Sequence, residues 1–201
     1  MSALLIKASA QRQVGFEQFY YAPNDRGAIL VSKVFYENNK NIYTEARYNY
    51  EEPGTFSLIA GKKFSQKKAL EYTVTPFAGV ASGEFKGLIA GLKTDLGFKK
   101  IYFSSESQYS FSFKDNNNSF FYSWLEAGCR AGSHLYAGVA MQLNVAAGTG
   151  AQAEPGVCVT FLVKKWTFPV YAFRAVNGNI YTVVGLNYEL SLLKNKPVSK
   201  K

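Results

Sequence analysis

The sequence predicts an all-β protein, an antiparallel up-and-down transmembrane β-barrel of about twelve strands. Three observations support this prediction. Polar and apolar residues alternate along most of the chain, as in a strand with two different faces. The alternating segments have roughly 10–14 residues, enough to cross a bilayer when tilted, whereas soluble strands typically have ~5–6. No apolar run approaches the ~18 residues of a transmembrane helix, so a membrane-spanning chain of this kind must cross as a closed barrel.

The strands can be placed one after another from the alternation. The segment 42–51 is the clearest, because Glu45 and Arg47 alternate with Thr44, Ala46 and Tyr48. The same rule predicts strands, in chain order, near 12–22, 27–37, 42–51, 55–64, 70–80, 87–95, 101–113, 119–131, 135–144, 156–164, 166–175 and 180–190. Aromatic residues make up 16 % of the chain and gather toward the ends of these segments, as in the aromatic girdles of membrane barrels.

The turns test the strand count independently. In a barrel with an even number of strands, alternate turns lie at opposite ends and both termini share one end. The turns assigned to the terminal end contain no acidic residue: 38–41, 65–68, 97–100, 131–134 and 164–166. The other end receives most acidic residues outside the strands: Asp25, Glu51, Glu52, Glu84, Asp115 and Glu154. A wrong strand count would have mixed the two sets.

Most strand charges lie on one face, which we assign to the lumen. A charge facing lipid costs about 2–4 kcal/mol near the bilayer midplane. The predicted pore-lining residues are Glu17, Lys33, Glu45, Arg47, Lys63, Glu71, Lys93, Asp95, Glu106, Glu126, Arg130, Lys164, Arg174 and Glu189. Arg12 and Lys62 have the lipid-facing parity, but both lie near the basic end, where long side chains can reach the interface.

A lumen with charges of both signs has two interpretations. Acidic and basic side chains can pair across neighbouring strands and largely block the interior. Alternatively, they can line a narrow aqueous pore for small solutes. Glycines with the inward parity do not decide between a blocked lumen and an aqueous pore, because they can provide internal space or let strands bend.

The residue types that form catalytic and metal-binding sites do not occur in an arrangement typical of such a site. The single histidine, His134, falls in a predicted turn, away from any nucleophile. No cluster of histidine and cysteine suggests a metal, and no cofactor motif is present. Cys129 and Cys158 are predicted on opposite faces of non-neighbouring strands, as two free thiols. The sequence therefore predicts no catalytic residues and no enzyme.

The formal net charge of +9 raises the possibility of nucleic-acid binding. That function needs basic and aromatic residues interleaved on one accessible surface. Here the lysines gather in turns and in the tail, so anionic lipid head groups or an acidic partner fit better than nucleic acid.

The chain is divided into an N-terminal extension at 1–11, the barrel at 12–190 and a basic tail at 191–201. The segment Ala8-Ser9-Ala10 resembles a signal-peptidase site, but the apolar stretch before it, Ala3 to Ile6, is shorter than the ~7–15 residues of a signal peptide. We therefore expect a mature chain with a replacement methionine, and export is inferred from the barrel.

Four stretches resemble uncharacterised outer-membrane β-barrel proteins of Gram-negative bacteria: 43–51, 119–124, 164–173 and the last strand, which ends Val184-Gly-Leu-Asn-Tyr-Glu-Leu190. The last strand departs from their pattern, since Leu190 and a basic tail replace the usual terminal aromatic residue. The resemblance implies a location in the bacterial outer membrane and contact with membrane lipids, and it implies no particular activity.

The expected function is thus a non-enzymatic outer-membrane barrel, either structural or a narrow passive channel with a small polar solute in its lumen. Two alternatives remain. A soluble ligand-binding barrel would use the apolar strand faces as its core. An outer-membrane lipid-modifying enzyme would require His134.

Overall fold

A computed structural model of the protein describes residues 12–22, 27–115, 118–146 and 150–192. The predicted N-terminal extension and most of the predicted tail at 191–201 lie outside these residues, while Ser191 and Leu192 belong to the last strand. The described strands are β1 (Arg12–Ala22), β2 (Ile29–Glu37), β3 (Ile42–Tyr48), β4 (Phe56–Lys62), β5 (Phe64–Lys67), β6 (Glu71–Ser82), β7 (Gly87–Phe98), β8 (Ile101–Ser112), β9 (Phe120–Arg130), β10 (Leu135–Ala146), β11 (Gly150–Val163), β12 (Trp166–Arg174) and β13 (Ile180–Leu192).

The strands form one closed antiparallel barrel. Apart from β4 and β5, strands that follow each other in sequence pair with each other, and β1 pairs with β13 along its whole length, from Arg12 opposite Leu192 to Ala22 opposite Thr182. β4 and β5 both pair with β6 and continue one register, so together they make a single strand of the wall. The prediction of an up-and-down barrel of about twelve strands is confirmed.

Pro76 gives a physical reason for the interruption between β4 and β5. The register places Gly61 opposite Phe77 and Phe64 opposite Val74, so Pro76 falls opposite Lys62. Proline has no backbone N–H and cannot donate to the ladder at this point. The backbone N–H of Lys63 lies on the β3 side, where it continues the β3–β4 register by donating to the carbonyl of Asn41 at 2.9 Å.

Several predicted boundaries were wrong by a few residues. β5 reaches Lys67, so the turn predicted at 65–68 lies at 68–70. β11 begins at Gly150, six residues before the predicted strand at 156–164. β3 ends at Tyr48 because Asn49 adopts a positive φ of 59° and its side chain accepts the N–H of Gly54 at 2.8 Å, which starts the turn early.

The outer face carries a band of exposed apolar side chains, including Val34, Leu58, Val80, Leu88, Phe111, Val139, Val157, Phe161 and Val184. The inward parity of the same strands is mostly buried, as the alternating burial along β1 and β8 illustrates. A soluble barrel would have the apolar side chains inside. Their outward position contradicts that alternative and agrees with lipid contact. Among the described residues, no helix is long and apolar enough to cross a membrane.

Candidate site in the barrel lumen

A network of ion pairs lies inside the barrel, with Glu106 of β8 at its centre. Arg47 of β3 places Nη2 2.6 Å from Glu106 Oε1, and Lys33 of β2 places Nζ 3.4 Å from Glu106 Oε2. Lys93 of the neighbouring β7 adds a contact of 3.5 Å to the same carboxylate. Because β2 and β3 are far from β8 around the barrel wall, these side chains meet across the lumen.

Further carboxylates complete the network. Glu17 of β1 pairs with Lys33 at 2.8 Å, and Glu45 of β3 pairs with both Arg47 and Lys93. The Arg47 guanidinium also donates to Gln108 Oε1 at 2.6 Å. Arg47 is 1 % exposed, Glu106 3 % and Lys33 4 %. All three are thus almost inaccessible to solvent, and each lies next to a group of opposite charge.

Tyrosines tie the network to its surroundings. The hydroxyl of Tyr43 donates to Glu45 and lies 2.9 Å from Lys93 Nζ. The hydroxyl of Tyr50, in the turn after β3, donates to Glu106 at 2.8 Å. Burial and then the nearby Glu106 carboxylate raise the pKa of Tyr50, so the hydroxyl keeps its proton as a donor. The Arg47 guanidinium stacks over the Tyr50 ring at 4.1 Å.

The other side of the lumen is filled by aromatic side chains. Trp124 of β9 packs edge-on against Tyr171 and Phe173 of β12, with ring centroids 4.9 and 5.1 Å apart. Phe19 of β1 reaches Trp124 from the far wall at 6.1 Å. Phe173 is fully buried, and Cys158 of β11 lies in the same cluster. This aromatic cluster and the ion-pair network occupy the interior together.

One buried carboxylate has no basic partner among the described residues. Glu126 of β9 accepts hydrogen bonds from the hydroxyl groups of Tyr102 and Tyr171, the latter at 2.9 Å. Tyr102 in turn lies 3.9 Å from Cys158 Sγ. Hydroxyl donors can stabilise an isolated carboxylate, as a bound cation would.

A chain of hydrogen bonds continues toward the end opposite the termini. Tyr122 donates to Gln142 at 3.0 Å, Gln142 donates to Tyr181 at 3.0 Å, and Tyr181 donates to Glu154 at 2.6 Å. At that end there is also a cavity of about 370 Å³, lined by Glu51, Glu52, Glu84, Lys86, Lys114 and Phe120 among other residues. We call this cavity the vestibule.

The structure places most of the predicted lumen residues on the inward parity. They are Glu17, Lys33, Glu45, Arg47, Lys93, Asp95, Glu106 and Glu126 within the strands, with Lys63, Glu71 and Glu189 nearer the terminal end. Asp95 accepts the Ser104 hydroxyl at 2.7 Å, and Lys63 pairs with Glu37 at 2.7 Å. Whether these residues line a conducting pore is a separate question, addressed below.

Three predicted lumen residues lie elsewhere. Arg174 has the parity of Val170 and is exposed on the outer side, because β12 carries apolar residues on both faces and alternation does not fix its parity. Lys164 lies in the turn between β11 and β12, with φ of 59°. Arg130 is exposed at the end of β9, where it donates to the carbonyls of Gly132 and Ser133 at 3.0 and 3.1 Å.

The prediction also omitted several lumen residues. Glu37 and Glu51 were assigned to a strand end and a turn, yet both side chains are buried and paired with Lys63 and Arg47. The inward parity of Glu37 was a signal that could have found it. No sequence signal could have found the contact of Glu126 with Tyr171, because β9 and β12 do not pair with each other, whereas Tyr102 lies on β8, which pairs with β9.

The histidine and the two cysteines take no part in the network of ion pairs in the lumen. His134 is exposed in its turn, with Nδ1 2.8 Å from the Ser133 hydroxyl. Cys129 is exposed and Cys158 is buried, and both are free thiols, as predicted. Within the ranges that the structure describes, no group of three or more His, Cys, Asp or Glu residues is arranged to hold a metal ion.

Comparisons with known proteins support the fold. No protein-family model matches the sequence. A search of curated proteins also found no match. The chain is similar in structure to the KdgM porin, with a TM-score of 0.58, 10 % identity, and 90 % of this chain and 99 % of that chain covered. It is equally similar to the KdgM porin in complex with disordered oligogalacturonate, with a TM-score of 0.59, 10 % identity and the same coverage.

This chain therefore has the fold of an outer-membrane β-barrel porin. The resemblance to outer-membrane barrels is confirmed at the level of fold, and the predicted location in the bacterial outer membrane agrees with it. At such low identity the likeness concerns architecture, so the function has to be argued from the lumen itself.

Proposed function

We propose that this protein is a non-enzymatic outer-membrane barrel whose lumen is closed by its own side chains, so that its role is structural. The observation that carries the proposal is the buried Arg47–Glu106–Lys33 contact across the barrel. A solute would have to break several buried ion pairs to pass. Removing one partner from such a pair costs about 3–5 kcal/mol, which is a high barrier for passive diffusion.

The aromatic cluster supports the same conclusion independently. Trp124, Tyr171 and Phe173 fill the part of the lumen that the ion pairs leave free, and Phe19 reaches them from the far wall. Rings packed at these distances act as a plug that excludes water. Charge pairing alone would allow a narrow aqueous path beside it, and the aromatic cluster occupies the part of the lumen where such a path would run.

A narrow passive channel is the second candidate, and one observation bears on its selectivity. Among the described inward side chains, carboxylates outnumber cations: Glu17, Glu37, Glu45, Glu51, Glu71, Asp95, Glu106, Glu126, Glu154 and Glu189 against Lys33, Arg47, Lys63 and Lys93. Any residual pathway would therefore favour cations. A polyanion such as oligogalacturonate, found with the KdgM porin, would be repelled by this lumen.

Solute flux into proteoliposomes tests the proposal against the channel alternative. We expect vesicles containing the wild-type barrel to swell in a small neutral sugar no faster than protein-free vesicles. An Arg47→Ala/Trp124→Ala variant, which shortens one side chain in each cluster, should admit the sugar. Protease protection confirms insertion of both proteins. Rapid swelling with the wild-type protein would contradict a closed lumen and establish the passive channel.

The enzyme alternative is tested separately through His134. We infer no catalytic role for it, because its exposed side chain contacts Ser133 in a turn and reaches no lumen carboxylate. A His134→Ala variant should match the wild-type protein in any assay of lipid modification. Loss of such an activity on this substitution would restore the lipid-modifying enzyme.

A further inference from the structure

The terminal end of the barrel carries exposed lysines in its turns. They are Lys40, Lys68, Lys99, Lys100, Lys164 and Lys165, which we call the basic rim. The remaining turn at this end, 131–134, is flanked by the exposed Arg130. The rim belongs to turns that alternate with those of the other end, so it surrounds the barrel rather than forming a patch on one side.

The basic rim is not neutralised by nearby acidic residues. The acidic residues near this end, Glu37, Glu71, Asp95 and Glu189, all have the inward parity. Within the ranges that the structure describes, no salt bridge includes a lysine of the rim; Lys63, which does pair with Glu37, belongs to the inward set. Exposed lysines therefore lie in the turns of this end, while its acidic residues have the inward parity.

The rim lies directly against the apolar band. Lys99 holds its amine 5.3 Å from the centre of the Phe98 ring, which is 45 % exposed on the outer face. Lys164 and Lys165 are flanked by the outward side chains of Val163 and Trp166, which face each other in the ladder. An amine on a long stem beside exposed apolar groups is the arrangement of a residue at the boundary between hydrocarbon and head groups.

The opposite end lacks this arrangement. Lys86 and Lys114 line the vestibule together with Glu52 and Glu84, and Lys114 donates to the carbonyl of Glu84 at 3.2 Å. Charges of both signs are mixed there. The contrast gives a matched control, since both ends carry exposed lysines but only one carries them without acidic neighbours.

We propose that the basic rim binds the phosphate groups of anionic phospholipids in the leaflet that surrounds the terminal end. A ring at the level of the head groups can contact many lipids at once, whereas one acidic protein would meet only part of it. Each lysine near an anionic bilayer surface favours binding by about fivefold. Because the interaction is electrostatic, it should weaken as the salt concentration rises.

Trp166 offers a local probe of these lipids. It is 37 % exposed on the outer face beside Lys165, while the other tryptophan, Trp124, is 5 % exposed inside the lumen. In a Trp124→Phe background, the remaining fluorescence comes from Trp166. Vesicles that contain brominated phosphatidylglycerol or brominated phosphatidylcholine then report, by quenching, which lipid occupies the surface next to the rim.

We expect brominated phosphatidylglycerol to be preferred at Trp166 by at least about fivefold at low salt, with the preference falling at high salt. Lys164→Gln/Lys165→Gln should reduce the preference by about fivefold or more. Lys86→Gln/Lys114→Gln at the opposite end should leave it unchanged. Circular dichroism confirms that each variant is folded.

If the two brominated lipids quench Trp166 equally in the Trp124→Phe protein with all rim lysines present, the proposal is overturned, whatever the result with the lysine variants. An equal loss of preference in both pairs of variants would also overturn it, because the effect would then follow net charge. The proposal requires a membrane-embedded barrel but not a closed lumen, so solute flux and lipid preference can fail separately.

Discussion

Arg47 is the residue on which the interior depends most. Its guanidinium contacts Glu45, Glu51 and Glu106, and it stacks over Tyr50. A planar group with five donors can bind several acceptors at once, which an ammonium group cannot do equally well. Without Arg47, these carboxylates would be buried next to one another with only the lysines to compensate them.

Arg47→Met should therefore destabilise the barrel strongly. We expect the free energy of unfolding to fall by about 3–5 kcal/mol, as when one partner of a buried ion pair is removed. Urea unfolding of the protein in lipid vesicles measures it. Arg174→Met, the same substitution at an exposed arginine, should change the value by no more than about 0.5 kcal/mol. Similar losses in the two variants would show that Arg47 has no special role.

Cys158 reports directly on water inside the lumen. It is 2 % exposed within the aromatic cluster, whereas Cys129 is exposed on the wall. In a Cys129→Ser background, Cys158 should not react with a small hydrophilic thiosulfonate reagent until the protein is unfolded in urea. In a Cys158→Ser background, Cys129 should react in the folded protein. Fast labelling of Cys158 in the folded barrel would mean that the lumen is open.

The sequence predicted which face of a strand a residue occupies better than it predicted the contacts between side chains. The inward parity of Glu45, Arg47 and Glu106 followed from simple alternation, because lipid tolerates no charge in mid-strand. The position of Arg174 could not be predicted in this way, since its strand is apolar on both faces. The tyrosine partners of Glu126 depend on how β8, β9 and β12 are arranged around the barrel, and alternation along one strand carries no information on that.

Among the elements, the glycines of the wall strands let neighbouring backbones approach closely. A Cβ placed on Gly87 would lie 1.9 Å from the carbonyl oxygen of Phe111 on the paired strand, and one on Gly138 would lie 2.2 Å from that of Ala127. At these two positions glycine permits close backbone packing, a role distinct from the internal space and the strand bending considered for the inward glycines.

Gly87→Ala should consequently destabilise the wall between β7 and β8. A backbone atom cannot move away as a flexible side chain can, so we expect a loss of about 1–3 kcal/mol in the free energy of unfolding. Gly132→Ala, in a turn where the nearest atom is 3.8 Å away, should have little effect. Urea unfolding of both variants measures the difference. An unchanged Gly87→Ala protein would show that the strands can shift to accept a side chain.

Strand number was predicted more accurately than strand ends. The alternation gave the count and the charge of the turns supported it, because one strand too many would have placed basic and acidic turns at the same end. The ends depend on local features such as the positive φ of Asn49 or Pro76 opposite Lys62. The alanine- and glycine-rich start of β11 has too weak an alternation to mark where the strand begins.

At the scale of the whole molecule, the basic and acidic residues that give the net charge of +9 lie in different places. The described lumen is rich in carboxylates, while exposed lysines surround the terminal end. Net charge alone would have suggested an anion-binding protein. Its distribution instead associates the basic residues with the membrane boundary and the acidic residues with the interior, where Lys33, Arg47 and Lys93 hold the carboxylates together.

The conductance of the refolded protein in a planar bilayer tests the closed lumen most directly. We predict no stable current steps from the wild-type barrel, with insertion confirmed by protease protection. Arg47→Ala/Trp124→Ala should produce steps whose reversal potential in a salt gradient shows a preference for cations. Uniform, salt-dependent steps from the wild-type protein would contradict the account and identify an open channel.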